Sequence, residues 1–247
     1  MIKNAKVWAL SDFHLPGNDN KTMDKFGSAW KSHPARIYEN VTKLCNENDV
    51  LLVGGDISWA LKIEGALNDL KFIESLKCMV VLSEGNHDCW ASKYNAVIAN
   101  LPKNVFWVQR GCKRIGNIAV VSTRLWDFDC VVWPDYIKTK ANSDPKKIER
   151  RELLRLEKAL KELPQDSGII RILMVHFPPV GADGERNELT DIINGYNVDY
   201  CVYGHLHGVQ EKTLGTDVKI GQTRFLLTSS DWLGMKPIEI CNYNPDE

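Results

Sequence analysis

Apolar and polar positions along this chain change period several times. Short unbroken apolar runs read as buried strands, and apolar residues three or four apart read as helices. Lys6 to Ser11 predicts a first strand ending at Asp12-Phe13-His14. Residues 15–34 are polar and punctuated by Pro16, Gly17, Gly27 and Pro34, which predicts a long functional or mobile loop. Helical spacing follows from Ala35 to Asn48, with Ile37, Val41, Leu44 and Cys45 on one stripe. Val50 to Val53 predicts a second strand, ending at Gly54-Gly55-Asp56. From about Leu61 to Leu76 a second amphipathic helix is predicted, with Leu67, Leu70, Ile73 and Leu76 facing inward. Cys78 to Leu82 is a third strand, and Gly85-Asn86-His87-Asp88 follows it. Strands alternating with helices argue for parallel pairing with right-handed crossovers.

The second half has a different texture. Val105 to Val108 and Ile118 to Ser122 predict short strands joined through Gly111 and Gly116. Residues 124–145 read as irregular, rich in aromatics and charge. Lys146 to Leu163 predicts a charged helix with Leu153, Leu156, Leu160 and Leu163 inward. Ile169 to Val175 is a buried strand ending at His176-Phe177-Pro178-Pro179. A short helix near Glu188 to Gly195 precedes the strand Val198 to Tyr203, which ends at Gly204-His205-Leu206-His207. Val218 to Ile220, Arg224 to Thr228 and Ile238 to Tyr243 predict closing strands. No repeat or linker divides the chain, so residues 1–247 are expected to form a single α/β domain.

Composition changes this picture little. A net charge of −1 over 247 residues argues against a broad basic face for nucleic acid. The apolar run near the start, Val7 to Leu10, is too short for a signal-peptide core or a membrane span. Seven cysteines, scattered singly without a CxxC pair, predict reduced thiols and a cytoplasmic protein; Cys78 and Cys201 read as small buried hydrophobes.

The candidate chemistry lies at the strand ends. His14, His87, His176, His205 and His207 all fall just after apolar runs, alongside Asp12, Asp56 and Asn86. Any one histidine reads as an ordinary hydrogen-bonded residue. Five together, with carboxylates and an amide in equivalent places, point to metal. Imidazole suits zinc, iron, manganese and nickel, and carboxylate oxygen suits harder ions, so a mixed set favours first-row transition metals over calcium. In two-metal sites a bridging carboxylate sets the separation, a water between the ions is acidified, and the resulting hydroxide attacks phosphorus in line.

In order and interval, Asp12-Phe13-His14, Gly55-Asp56, Gly85-Asn86-His87-Asp88, His176 and Gly204-His205-Leu206-His207 resemble the five motifs of the calcineurin-like metallophosphoesterases. The likeness spans nearly the whole chain. The long polar segment after His14, with Ile57 to Ala60, looks like a bacterial branch of predicted phosphohydrolases. The resemblance implies a four-layer α/β/β/α sandwich of two mixed sheets flanked by helices. It implies that Asp12, His14 and His207 hold one metal, that Asp56 bridges, and that Asn86, His176 and His205 hold the other. The ions implied are two divalent transition metals: manganese, iron or zinc, with nickel also suited. His87 is then no ligand but contacts the substrate phosphate or protonates the leaving oxygen. Asp88 orients His87 or, alternatively, caps a helix starting near Trp90. The reaction implied is hydrolysis of a small phosphomonoester or phosphodiester. The rival readings are a nuclease of the same superfamily, a catalytically silent interaction scaffold and a structural metal protein. The last would favour a closed thiolate site.

Outside the motifs, His33 reads as a surface histidine. Trp30, Trp59 and Trp90 read as core, or as walls of a substrate pocket. Arg124 reads as a solvated or salt-bridged arginine, with a phosphate contact as the alternative. Lys146, Lys147, Arg150, Arg151 and Arg155, interleaved with glutamates, read as a solvated helix face. Gly54, Gly55, Gly85 and Gly204 are expected where the backbone turns sharply or approaches the metals.

Overall fold

The computed structural model describes residues 5–18, 21–139 and 144–247. In chain order its elements are β1 (Ala5–Ala9), α1 (His33–Leu44), β2 (Val50–Val53), α2 (Ile63–Glu74), β3 (Met79–Leu82), α3 (Tyr94–Asn100) and β4 (Val105–Trp107). There follow β5 (Lys113–Ile115), β6 (Ile118–Thr123), α4 (Pro145–Lys161), β7 (Ile170–Val175), α5 (Glu188–Asn194), β8 (Tyr200–Tyr203), β9 (Asp217–Ile220), β10 (Thr223–Leu227) and β11 (Ile238–Tyr243).

Among the described residues the strands form two mixed sheets. One has the order β11-β1-β2-β3-β4 and the other β5-β6-β7-β8-β10-β9. Strands β1 to β4 pair parallel with one another, as do β6, β7, β8 and β10. The antiparallel partners β11, β5 and β9 lie at the edges. Side chains alternate between faces of a strand, and three apolar clusters follow from that. Val7, Ala9, Leu52 and Val81 of the first sheet meet Val120, Ile172, Met174 and Leu226 of the second in the layer between the sheets. On the outer face of the first sheet, Trp8, Leu51, Val53 and Val80 pack with Ile37 and Val41 of α1 and Leu70 and Ile73 of α2. Across the molecule, Val121, Leu173, Cys201 and Phe225 pack with Leu156 and Leu160 of α4 and Leu189 and Ile193 of α5. The result is the α/β/β/α sandwich that the resemblance implies.

Some local expectations are revised. Leu67 is exposed, and Ala66 takes the inward place beside Leu70 and Ile73 in α2. The segment after Asp88 is a 3₁₀ turn, Cys89–Ser92, followed by α3 rather than a helix starting at Trp90. β5 has no counterpart among the expected strands, because Lys113-Arg114-Ile115 carries two charges in a short edge strand, the kind of sequence that blunts an edge. β11 does not continue the second half but returns to pair with β1. No helix among the described residues is long and apolar enough to cross a membrane.

Candidate metal centre

Backbone contacts bring the strand tips together. Asp12 N–H donates to the Gly55 carbonyl (3.0 Å) and His14 N–H to the Asp56 carbonyl (2.9 Å), joining the segments that follow β1 and β2. Gly204 N–H donates to the His176 carbonyl (3.2 Å), joining those that follow β7 and β8. Ser11 N–H donates to the Thr228 carbonyl (2.7 Å), and His205 N–H reaches the Asp12 carboxylate at 3.1 Å. These two bonds cross from the first sheet to the second. The turns are tight enough to hold Asp12, His14, Asp56 and His205 at φ of 59°, 45°, 52° and 71°. Left-handed φ costs a non-glycine residue about 1–3 kcal/mol, and such strain concentrates at functional sites. Two glycines are required for space. A Cβ on Gly85 would overlap the Asp56 carboxylate and backbone nitrogen, and one on Gly204 would overlap the Asp12 carboxylate.

The side chains converge in two groups, Asp12 with His14 and His207, and Asp56 with His176 and His205. Within each group one ligand atom per residue lies within 4.8 Å of the others. Asn86 Oδ1 joins the second group, 2.8 Å from His176 Nε2. Asp56 Oδ2 stands between the groups, 3.7 Å from His14 Nε2 and 3.5 Å from His176 Nε2. His87 sits at the open side, half-exposed, its Nε2 4.0 Å from Asp56 Oδ2 and its ring 4.4 Å from that of Trp59.

The outer nitrogens of three histidines have acceptors. His176 Nδ1 lies 3.0 Å from the Gly54 carbonyl, and His207 Nδ1 lies 2.8 Å from Asp231 Oδ1. His205 Nε2 lies 2.7 Å from the Tyr136 hydroxyl, which itself donates to Asp127 at 2.5 Å. Protons on those outer nitrogens leave His176 Nε2, His205 Nδ1 and His207 Nε2 as lone pairs aimed inward. The consequence is a crowd of acceptors. His176 Nε2 faces Asn86 Oδ1 and, at 3.1 Å, His205 Nδ1; His207 Nε2 faces His14 Nε2 at 3.1 Å. Such an arrangement is unfavourable without protons or cations between the atoms. The donor set therefore fits divalent transition metals.

Charges in the metal-free cluster respond accordingly. Burial raises Asp12 to about 6, with His207 and His176 pulling back. Burial opposes ionisation of Asp56 too, but the close histidines, His176 foremost, hold it well below the ordinary carboxylate range. Burial lowers His14 to about 3. It also opposes a charge on His176, but Asp56 outweighs it and raises His176 to about 9. His87 is lowered by burial, with Asp56 partly offsetting.

Asp88 has a different job from the one expected. Its carboxylate accepts N–H bonds from Ile57 (2.9 Å), Ser58 (3.1 Å), Gly85 (2.9 Å) and the Trp90 indole (2.9 Å). These donors belong to the Asp56 and Asn86 loops, so Asp88 staples one loop to the other instead of orienting His87. Nor does its side chain cap the following turn.

His33 is not a surface residue. It is buried at the start of α1, its Nδ1 3.1 Å from the Trp30 carbonyl and its Nε2 3.2 Å from the His14 carbonyl. Trp90 is core, as expected. Trp59 stacks on His14 with centroids 4.9 Å apart, and Trp30 meets His14 and His207 edge-on at 5.6 and 5.2 Å. Asp231, Tyr136 and Asp127 lie outside the expected set. A signal for Asp231 is present in the sequence, since β10 also ends on a polar cluster, Thr228-Ser229-Ser230-Asp231.

The profile of the calcineurin-like phosphoesterase family matches residues 5–209, a span that holds all five strand-tip motifs. The chain belongs to that family. No curated protein sequence matches it. Among solved structures it resembles AQ665, a protein of unknown function from Aquifex aeolicus, at 18% identity and TM-score 0.51, with 96% of each chain covered. It also resembles TT1561 of Thermus thermophilus at 10% identity and TM-score 0.52, covering 96% of this chain and 99% of that one. At these identities the likeness is one of fold.

Proposed function

We propose that this calcineurin-like phosphoesterase hydrolyses a phosphomonoester or phosphodiester of a small molecule, using two divalent transition-metal ions. The observation that carries this reading is the convergence of histidine ring nitrogens on Asp12, Asp56 and Asn86. Asp12, His14 and His207 would hold one ion, and His176, His205 and Asn86 the other, with Asp56 reaching both. When bound, such ions polarise phosphoryl oxygens and lower the pKa of a water to near neutrality.

The chain's own residues supply the rest. The imidazole of His87, half-exposed beside Asp56, donates an N–H to a phosphoryl oxygen or to the leaving oxygen. Trp59, itself stacked on His14, packs against that ring, with centroids 4.4 Å apart. Asp88 fixes the distance between the loops that carry Asp56 and Asn86. All of these groups are retained, which favours an enzyme over a silent scaffold. The seven free cysteines are in keeping with a reducing, cytoplasmic setting.

The test is a panel of phosphomonoesters, phosphodiesters, cyclic nucleotides and pyrophosphates, run with manganese, iron, zinc and nickel separately. The expected result is turnover that needs metal and that His87→Ala largely removes while metal content is kept. Turnover without metal, or none with any of the four, would contradict the proposal. Loss of metal in His87→Ala would show that its role is misassigned.

A further inference from the structure

Beside the metal centre lies a second basin of about 750 Å³ that the proposed reaction leaves unused. Its floor is made by the segments just past β3, β4 and β6, represented by Glu84, Gln109 and Arg124, and its wall by α4. Those strands run parallel to the ones that carry the ligands, so the basin opens on the same edge of the sandwich. Two backbone connections join its lining to the segments that carry the ligands. Glu84 is followed by Gly85 and Asn86, and the Arg124 carbonyl accepts from the backbone N–H groups of His176 (3.2 Å) and Phe177 (3.0 Å).

The lining is polar and rich in cations: Arg110, Arg124, Arg151, Arg155 and Lys158. Three carboxylates face them. Glu152, fully buried, takes Arg151 and Arg155 at 3.0 and 2.8 Å on one oxygen, its second oxygen having no partner among the described residues. Glu84 accepts from Gln109 (2.7 Å), and Glu162 closes the C-terminal end of α4. Arg110, Arg124 and Lys158 have no ion-pair partner among the described residues, and Arg124 Nε is buried without an acceptor. A guanidinium left in this state is matched by a planar or tetrahedral oxyanion, which can take two parallel N–H bonds.

We propose that this basin binds the second anionic group of the substrate, so that the enzyme acts on a small organic phosphate carrying another phosphate or a carboxylate. Arg124, whose carbonyl holds the His176 N–H, takes that group, with Arg110 and Lys158 adding charge. The lining has no aromatic or aliphatic stripe for a lipid chain. This inference rests on the phosphoesterase reading for the word substrate, but the anion site itself does not.

The probe is inorganic pyrophosphate, titrated calorimetrically into full-length protein stripped of metal, so that the metal centre cannot hold it. Wild type should bind. Arg124→Gln should weaken binding about tenfold or more, as expected for loss of a charged hydrogen-bonded pair. In the metal-loaded protein Arg124→Gln should raise KM for a bisphosphate by a larger factor than KM for p-nitrophenyl phosphate. Equal pyrophosphate affinity in wild type and Arg124→Gln, or no binding at all, would overturn the anion site without touching the phosphoesterase reading. Binding that depends on Arg124 in a protein that hydrolyses nothing would keep the site and sink that reading instead. Lys158→Gln is a second variant, exposed enough not to threaten folding, and should weaken pyrophosphate in the same direction.

Discussion

Asp231 Oδ1 accepts from His207 Nδ1 at 2.8 Å, and that single bond decides which nitrogen of His207 faces the cluster. Asp231 also takes the Gly208 N–H at 2.8 Å, so it fixes both the ring and the backbone that carries it. Outer partners of this kind typically contribute 10–100-fold to metal affinity. Asp231→Ala should therefore bind manganese about 10–100-fold more weakly than wild type by calorimetric titration, with the fold retained. Unchanged affinity would show that His207 is oriented by something else.

Tyr136 plays the corresponding part for His205, relaying its Nε2 to Asp127. Burial, with the Asp127 carboxylate beside it, raises the Tyr136 phenol well above its ordinary value, so it stays protonated as a donor. Tyr136→Phe removes the relay without changing the ring. Metal affinity should fall about tenfold and recover none of that on raising the pH. An affinity equal to wild type would remove Tyr136 from the account.

Asp88 tests the corrected role directly. Asp88→Asn keeps the shape but replaces one acceptor oxygen by an NH₂ facing a backbone or indole donor. The cost should be about 1–3 kcal/mol, seen as a Tm lower by about 3–10 °C. If Asp88 instead oriented His87, the variant would keep its Tm and lose only turnover.

Much of this centre is legible because it follows one rule: an apolar run that stops on a His, Asp or Asn places that group at a sheet tip. Asp12, Asp56, Asn86, His176 and His205 all obey it, and the two-sheet architecture follows from the resemblance they carry. What escapes the rule is instructive. His33 and Tyr136 sit in segments without hydrophobic periodicity, so nothing local announces that they fold back onto His14 and His205. Leu67 and Ala66 are equally compatible with a 3.6-residue period, and only the packing on β2 and β3 chooses between them. The role of Asp88 depends on Ile57 and Ser58, which lie 31 and 30 residues earlier, and adjacency to His87 misleads. β11 looks like any closing strand; its partner, β1, lies at the opposite end of the chain.

Gly85 allows the closest approach in the site, with the Asp56 carboxylate where a Cβ would lie. Gly85→Ala must push apart the loops bearing Asp56 and Asn86. Overpacking of this kind costs about 1–3 kcal/mol, and the displaced Asp56 should lose its reach to both groups. Stoichiometric metal in Gly85→Ala would show that the loops tolerate the displacement.

The central claim is that seven side chains from the tips of five strands hold a pair of transition metals, with Asp56 shared between them. The most direct measurement is the metal content of Asp56→Asn beside wild type, by mass spectrometry after reconstitution with manganese. Two equivalents in wild type and near zero in the variant are predicted. One full equivalent surviving in Asp56→Asn, or fewer than two in wild type at saturating manganese, would contradict it.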